Sequence, residues 1–405
     1  MSPQPHSPGL VSVKARVNTP LARSELERRW LAVRGAMREH GIDALVMQHN
    51  NPSSGYLRYF ADLVAGGNPT SLVFPLEDEA TLIRHGALGG VRDLSGEPEE
   101  LLPGIKRVLT TPHFNSAHYT QGYDAELVVE ALGPYARGTI GLLGVSEMSH
   151  AFGVAVKRAL RGATFVDATE YVDRIKVIKS ELEQRLIRET AELQDGALEV
   201  LLAAIEPGVR ERDVVAAAVA WSTRQGSDYG LYMIGSAAPG EAALVGPPHV
   251  QNRVIESGDA VSILIESSGP GGYYTELGRT CVLGRAPAEL LEEFELARAA
   301  QRATLALLVP GTPCEEIWAA HNAFMRAHGR PEETRIHCHG QGYDLVERPL
   351  VRFDEPMTIE AGMNVACHPA YEHRGMWAWV CDNYLIGESG PGECLHATKQ
   401  RIFER

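Results

Sequence analysis

The spacing of apolar and polar positions changes several times along the chain. From Arg23 to His40 it is that of an amphipathic helix, and Gly41 stops it. Ala44–Gln48 (ALVMQ) follows as a buried strand. Thr70–Pro75 and Glu79–Ile83 repeat the strand pattern, with turn residues between them. Tyr123–Leu132 reads as a helix and Thr139–Leu143 (TIGLL) as a further strand. Strands alternating with helices predict an open α/β domain over 23–172, preceded by a Pro- and Ser-containing flexible tail over 1–22.

A domain boundary is expected near Asp173. Ser180 and Glu183 have the spacing of a capping box, which predicts a long helix from there to about Ala204, closed by Pro207–Gly208. Arg210–Gln225 reads as a second helix. Asp259–Glu266 and Tyr273–Leu283 read as two strands joined by a turn at Gly269–Gly272. Ala288–Leu308 and Cys314–His328 are further helices, and Arg335–Ile386 breaks into short strands punctuated by Gly and Pro. Residues 173–405 therefore form a second, α+β domain.

Composition narrows the function classes. A chain of 405 residues is long enough for two domains with a large core. No run of eighteen apolar residues exists, and the first twenty residues lack the apolar centre of a secretion signal. The net charge of −14 disfavours nucleic acid and anionic membranes as partners. Six cysteines with no CxxC pair suit reduced thiols in the cytoplasm. A small-molecule substrate is the expected partner.

Four segments carry the chemistry: Lys179–Glu183 (KSELE), Gly272–Thr280 (GYYTELGRT), His339–Pro349 (HGQGYDLVERP) and Ile359–Pro369 (IEAGMNVACHP). In this order they resemble the creatinase/prolidase/methionine-aminopeptidase family, which has a "pita-bread" catalytic domain. The resemblance implies that C-terminal fold, a smaller α/β N-terminal domain and a homodimer. Metallopeptidases of the family hold two metal ions with two Asp, one His and two Glu. Here the matching positions read Glu266, Glu276, His339, His368 and Cys381, so only the histidine is kept. Seven residues beyond His339, where the peptidases carry a histidine at the scissile amide, stands Val346.

Each replacement changes the donor set. A Glu for an Asp moves the carboxylate by about 1.5 Å, whereas metal–oxygen distances tolerate about ±0.2 Å. An imidazole at 368 cannot bridge two metals, and a thiolate at 381 bridges differently from a carboxylate. One divalent metal (Zn or Fe), or none, is therefore expected in place of two, with donors from Glu266, Glu276, His339, His368 and Cys381. His249, in PPHVQN, matches the position of the family's acid/base or substrate-contacting histidine, and an imidazole suits proton transfer near neutrality. The expected catalytic set is His249, His339 and Glu276. Tyr274, Arg279, Arg348 and Trp379 are expected at the substrate, with Arg348 suited to a carboxylate.

The function expected first is that of a creatinase-like hydrolase acting on a C–N bond of a small polar non-peptide substrate. A lyase on the same fold, an Xaa-Pro peptidase and a non-catalytic binding module are the alternatives. The altered ligands and Val346 count against ordinary peptidase chemistry.

Overall fold

The computed structural model describes residues 19–51, 55–96, 101–390 and 392–405, so the tail expected over 1–22 lies, up to residue 18, outside the described residues. The N-terminal half holds strands β1 (Ala44–His49), β2 (Thr70–Pro75), β3 (Ala80–His85), β4 (Gly90–Asp93), β5 (Ile105–Thr111), β6 (Thr139–Leu143) and β7 (Thr164–Asp167). They form one sheet in the order β4-β5-β3-β2-β1-β6-β7. Helices α1 (Arg23–Glu39), α2 (Gly55–Ala61), α3 (Tyr123–Ala131), α4 (His150–Ala159) and α5 (Thr169–Lys176) accompany it.

Strand β1 explains why ALVMQ is an unbroken apolar run rather than an alternating one. Leu45 and Met47 enter a core with Leu26, Trp30 and Phe60, while Ala44 and Val46 enter another with Val128 and Phe152. A strand covered on both faces has no polar side. The sequence pattern did not reveal β4 or β7. Both lie at the edges of the sheet and are mostly exposed, so no burial pattern marks them. Helix α5 runs across the expected boundary at 172/173.

The C-terminal half opens with α6 (Glu181–Ala204). Its capping box is formed as the spacing predicts: the Glu183 amide donates to Ser180 Oγ at 3.2 Å, and the Ser180 amide donates to Glu183 Oε2 at 2.7 Å. Helices α7 (Glu211–Arg224), α8 (Ala288–Leu305) and α9 (Cys314–Ala327) follow. One sheet has the order β18-β10-β9-β8, from β8 (Gly230–Ala237), β9 (Ala260–Ser268), β10 (Tyr274–Val282) and β18 (Phe403–Glu404). A second has the order β12-β11-β13-β16-β17, from β11 (Cys338–Gly340), β12 (Glu347–Leu350), β13 (Asn364–Cys367), β16 (Asp382–Leu385) and β17 (Glu393–Cys394). Between β13 and β16 lies a hairpin of β14 (Ala370–His373) and β15 (Met376–Trp379).

The backbones of the two C-terminal sheets meet at Gly278 and Cys381. Gly278 and Cys381 exchange backbone hydrogen bonds of 3.1 and 3.3 Å. A Cβ on Gly278 would lie 2.3 Å from the Trp379 ring and 2.8 Å from the Cys381 Cβ, so only glycine allows this approach. Beside it, Arg279 and Asp382 form an ion pair in which both side chains are fully buried.

Buried charges also tie the two halves together. Arg29 of α1 donates to Glu183 at 3.1 Å and to the Tyr273 hydroxyl at 2.8 Å. Glu347 of β12 pairs with Lys176 at 2.9 Å and Lys179 at 3.0 Å, and accepts from the Tyr343 amide at 2.8 Å. Burial alone would raise the Glu347 pKa, but the two lysines outweigh it and bring it to about 2. A carboxylate held below its ordinary 4.5 contributes stability above that pH and loses it as pH falls toward 2. Glu347→Gln is expected to cost about 3–5 kcal/mol at pH 7 by urea denaturation, because two buried lysines lose a counter-charge. The difference from wild type should shrink steadily below pH 4.5. A deficit unchanged down to pH 3 would contradict this account.

Candidate metal centre and its surroundings

Among the described residues, one group of metal-capable side chains converges. Donor atoms of Glu276, His339 and His368 lie within 4.8 Å of one another, and all three residues are buried. Each comes from a different strand or strand end: Glu276 from β10, His339 from β11, and His368 from the residue after β13. Antiparallel pairing of β11 with β13 sets His339 opposite Ala366, so residue 368, two positions on, returns to the same face. The imidazole centroids are 5.1 Å apart.

The hydrogen bonds orient these side chains. His339 Nδ1 lies 2.8 Å from the Gly340 carbonyl, and its Nε2 lies 3.4 Å from Glu276 Oε2. For Glu276, burial would raise the pKa, but His368 and then His339 overcome it and lower it to about 2. Burial lowers the His368 pKa, against the pull of Glu276. Two imidazoles and one ionised carboxylate fit a single Zn or Fe(II) by donor chemistry. They do not supply the bridging carboxylates that two metals need.

Glu266 and Cys381 stand outside this group. Glu266 is the cross-strand partner of Glu276 and shares its face, but burial and then the neighbouring Glu276 charge push its pKa well up. Two carboxylates side by side do not both ionise easily. The Cys381 thiol is fully buried and donates to the Glu276 carbonyl at 3.6 Å. Burial, with Glu276 and Asp382 nearby, raises its pKa well above the usual thiol value. Cys381, expected as a ligand, thus lies outside the converging group, at the joint of the two sheets.

The residues expected at the substrate are mostly committed elsewhere. Arg279 is fully buried, and its guanidinium donates to Asp382 and to the carbonyls of Gly278, Cys381, Thr398 and Lys399, leaving nothing for a ligand. Arg348 is engaged by Glu170 and Glu355 and is not free to take a carboxylate. Tyr274 is fully buried, with its amide donating to the Gly342 carbonyl at 2.7 Å. Trp379 is 4% exposed and packs with Leu264 and Cys381. Arg279 and Arg348 are thus engaged by other groups of the chain, while the buried Tyr274 hydroxyl and Trp379 Nε1 have no hydrogen-bond partner among the described residues.

His249 is exposed on the short helical turn Pro248–Val250. Gln251 anchors that turn by donating to the carbonyls of Tyr232 and Gly246 at 3.1 and 2.8 Å. Tyr232 pairs with Ile265, the neighbour of Glu266, so the turn is tethered beside the strand that carries Glu266. Val346 is 51% exposed.

Sequence reasoning missed the amide network that holds these strands. Asn383 accepts from the Glu276 amide at 2.6 Å and donates to Gln341 at 2.9 Å and Asn364 at 3.2 Å. Single amides scattered over three strands leave no spacing signal. It also missed His337, which stacks on His321 with centroids 3.7 Å apart. The alternation Arg335, His337, His339 was the available sign.

No helix among the described residues is long and apolar enough to cross a membrane. The family model for metallopeptidase family M24 matches residues 185–388. The chain is similar to the uncharacterized peptidase YqhT of Bacillus subtilis, 26% identical over 267 residues, which covers 64% of this chain and 74% of that protein. It is similar to the Xaa-Pro dipeptidase of Pyrococcus furiosus, 24% identical over 231 residues, covering 56% of this chain and 65% of that protein. The solved structure of an Xaa-Pro dipeptidase from Bacillus anthracis shares the fold with a TM-score of 0.74 at 20% identity, over 94% of this chain and 100% of that one. The architecture is accordingly an α/β N-terminal domain followed by a pita-bread domain, and the chain belongs to metallopeptidase family M24.

Proposed function

We propose that this chain is a metal-assisted hydrolase that cleaves the amide bond of a dipeptide-sized substrate, with Xaa-Pro dipeptides the first class to test. The buried group of Glu276, His339 and His368 carries the reading. The names of the relatives support a peptide substrate over the small non-peptide substrate expected from sequence. A divalent metal held by those three side chains supplies Lewis-acid polarisation of a carbonyl oxygen and increases the acidity of water. Glu266, on the same face as Glu276, takes the proton of the attacking water when it is in its ionised form, and its raised pKa makes that carboxylate the stronger base. His249, on its tethered turn, gives a proton to the departing nitrogen.

A creatinase-like C–N hydrolysis of a small non-peptide substrate is the second reading. Val346 favours it, since its side chain offers no hydrogen-bond donor to a tetrahedral oxyanion. Loss of one such donor costs about 10²–10³ in rate.

Elemental analysis of protein loaded with Zn or Fe(II) should return about one equivalent per chain, as three donors and one open position imply. His368→Ala should lose that metal and Cys381→Ser should keep it. Two equivalents, or metal retained in His368→Ala, would contradict the assignment.

Xaa-Pro dipeptides should be hydrolysed slowly, with kcat at or below about 1 s⁻¹. His249→Ala should lower kcat by about a hundredfold or more with an unchanged circular dichroism spectrum. Turnover of a guanidino acid with none on any Xaa-Pro dipeptide would replace this reading with the second one.

A further inference from the structure

Two of the free cysteines face each other across a strand pair. The register of β11 with β13 sets Cys338 directly opposite Cys367. Backbone hydrogen bonds flank the pair. The His368 amide donates to the His337 carbonyl at 2.8 Å, and the Gln341 amide donates to the Asn364 carbonyl at 3.0 Å. Hydrogen-bonded and non-hydrogen-bonded pairs alternate along an antiparallel ladder, so 338/367 is of the second kind. Cα atoms of such a pair lie about 4.5 Å apart, within the range of about 4.4–6.8 Å that a disulfide spans. Both thiols are fully buried in one apolar core with Cys314 and Ile317, and the two are hydrogen-bonding neighbours.

Each thiol directly precedes a residue of the metal centre: Cys338 is followed by His339, and Cys367 by His368. Side chains alternate along a strand, so the thiols share one face of the pair and the imidazoles the other. Facing Cβ atoms in a sheet lie about 4.5–5.5 Å apart, whereas those of a disulfide lie about 3.8 Å apart. Drawing the strands together on the thiol face turns the imidazoles on the opposite face. Metal–ligand distances tolerate only about ±0.2 Å.

We propose that Cys338 and Cys367 form a site of reversible oxidation, whose disulfide loosens the metal centre on the other face of the same two strands. The inference rests on the metal reading of Glu276, His339 and His368, and not on the choice of substrate. The oxidant is a peroxide, small enough to enter a core closed to bulkier reagents. One sulfur takes an oxygen as the peroxide O–O bond breaks, giving a sulfenic acid and one water. The other sulfur then attacks it. The S–O bond breaks, and the second thiol proton leaves with that oxygen as another water. Two thiols are oxidised and one peroxide is reduced to two waters. Coupling between sites is reciprocal, so a metal held by His339 and His368 opposes the disulfide.

The test treats the full chain, metal-free and Zn-loaded, with hydrogen peroxide. Cys394→Ser is the background, since it removes the exposed thiol. Peptide mapping without reduction locates disulfides, and competition with a chelating dye gives Zn affinity. The 338–367 disulfide should form in the metal-free chain and form about tenfold more slowly with Zn bound, an ordinary scale for coupled sites. The oxidised chain should bind Zn about tenfold more weakly, and a phosphine reductant should restore it. Cys367→Ala and Cys338→Ala, with folding checked by unfolding temperature, should keep their Zn affinity through the same treatment. No 338–367 disulfide, or a 314–338 disulfide in its place, would overturn the proposal. So would a 338–367 disulfide that leaves Zn affinity unchanged, or a loss of affinity that persists in both alanine variants. A reduced chain that binds no Zn would overturn the metal reading and the coupling with it, while the mapping still decides whether the two thiols pair.

Discussion

Everything at the centre depends on how closely two sheets approach at Gly278 and Cys381. Glu276 belongs to one sheet, and the segments bearing His339 and His368 belong to the other. The backbone of β10 touches the chain just before β16, with no side chain at 278 to hold it off, and the Glu276 amide donates to Asn383 of β16 at 2.6 Å. The neighbouring Arg279–Asp382 pair seals the joint. Such a pair is costly to bury and costlier still to break, since one partner alone would leave an uncompensated charge in the core. Its guanidinium also donates to four backbone carbonyls, those of Gly278, Cys381, Thr398 and Lys399.

The electrostatics of the three-residue group follow from that joint. A carboxylate this deep would ordinarily hold its proton. Two imidazoles from the facing sheet reverse the balance and keep Glu276 ionised. The second carboxylate, Glu266, has no such support. It sits directly across the strand pair from Glu276 and takes the opposite protonation tendency. Three metal-capable side chains thus converge. The Cys381 thiol lies outside that group and donates to the backbone carbonyl of Glu276.

The N-terminal half contributes by holding the loops of the other half. Lys176 at the end of α5 and Lys179 just before α6 fix Glu347, and Glu347 in turn holds the Tyr343 amide in the glycine-containing loop after His339. Arg29, Glu183 and Tyr273 connect α1, the start of α6 and the entry to β10 in the same way. Both contacts place ionised groups out of water. They persist because each charge has a partner and its remaining hydrogen-bonding capacity is also used.

The longer helices and several strands were legible from local pattern, whereas the helices Gly55–Ala61, His150–Ala159 and Thr169–Lys176 and the strands Ile105–Thr111 and Gly230–Ala237 were not. Capping chemistry at Ser180 and Glu183, glycine and proline punctuation and the apolar run of β1 are properties of short segments, and local sterics decide them. The family resemblance likewise pointed to Glu276, His339 and His368, because motif order survives in a linear chain. The sequence could not say which of the metal-capable residues converge, nor which arginines are already paired. Arg279 and Arg348 read alike as cations near a motif. Only the tertiary fold gave the first to Asp382 and the second to Glu170 and Glu355. Partners such as Arg348 and Glu170, 178 residues apart, are set by packing. A charge's role is decided by what lies within a few ångströms of it, and chain proximity does not encode that distance.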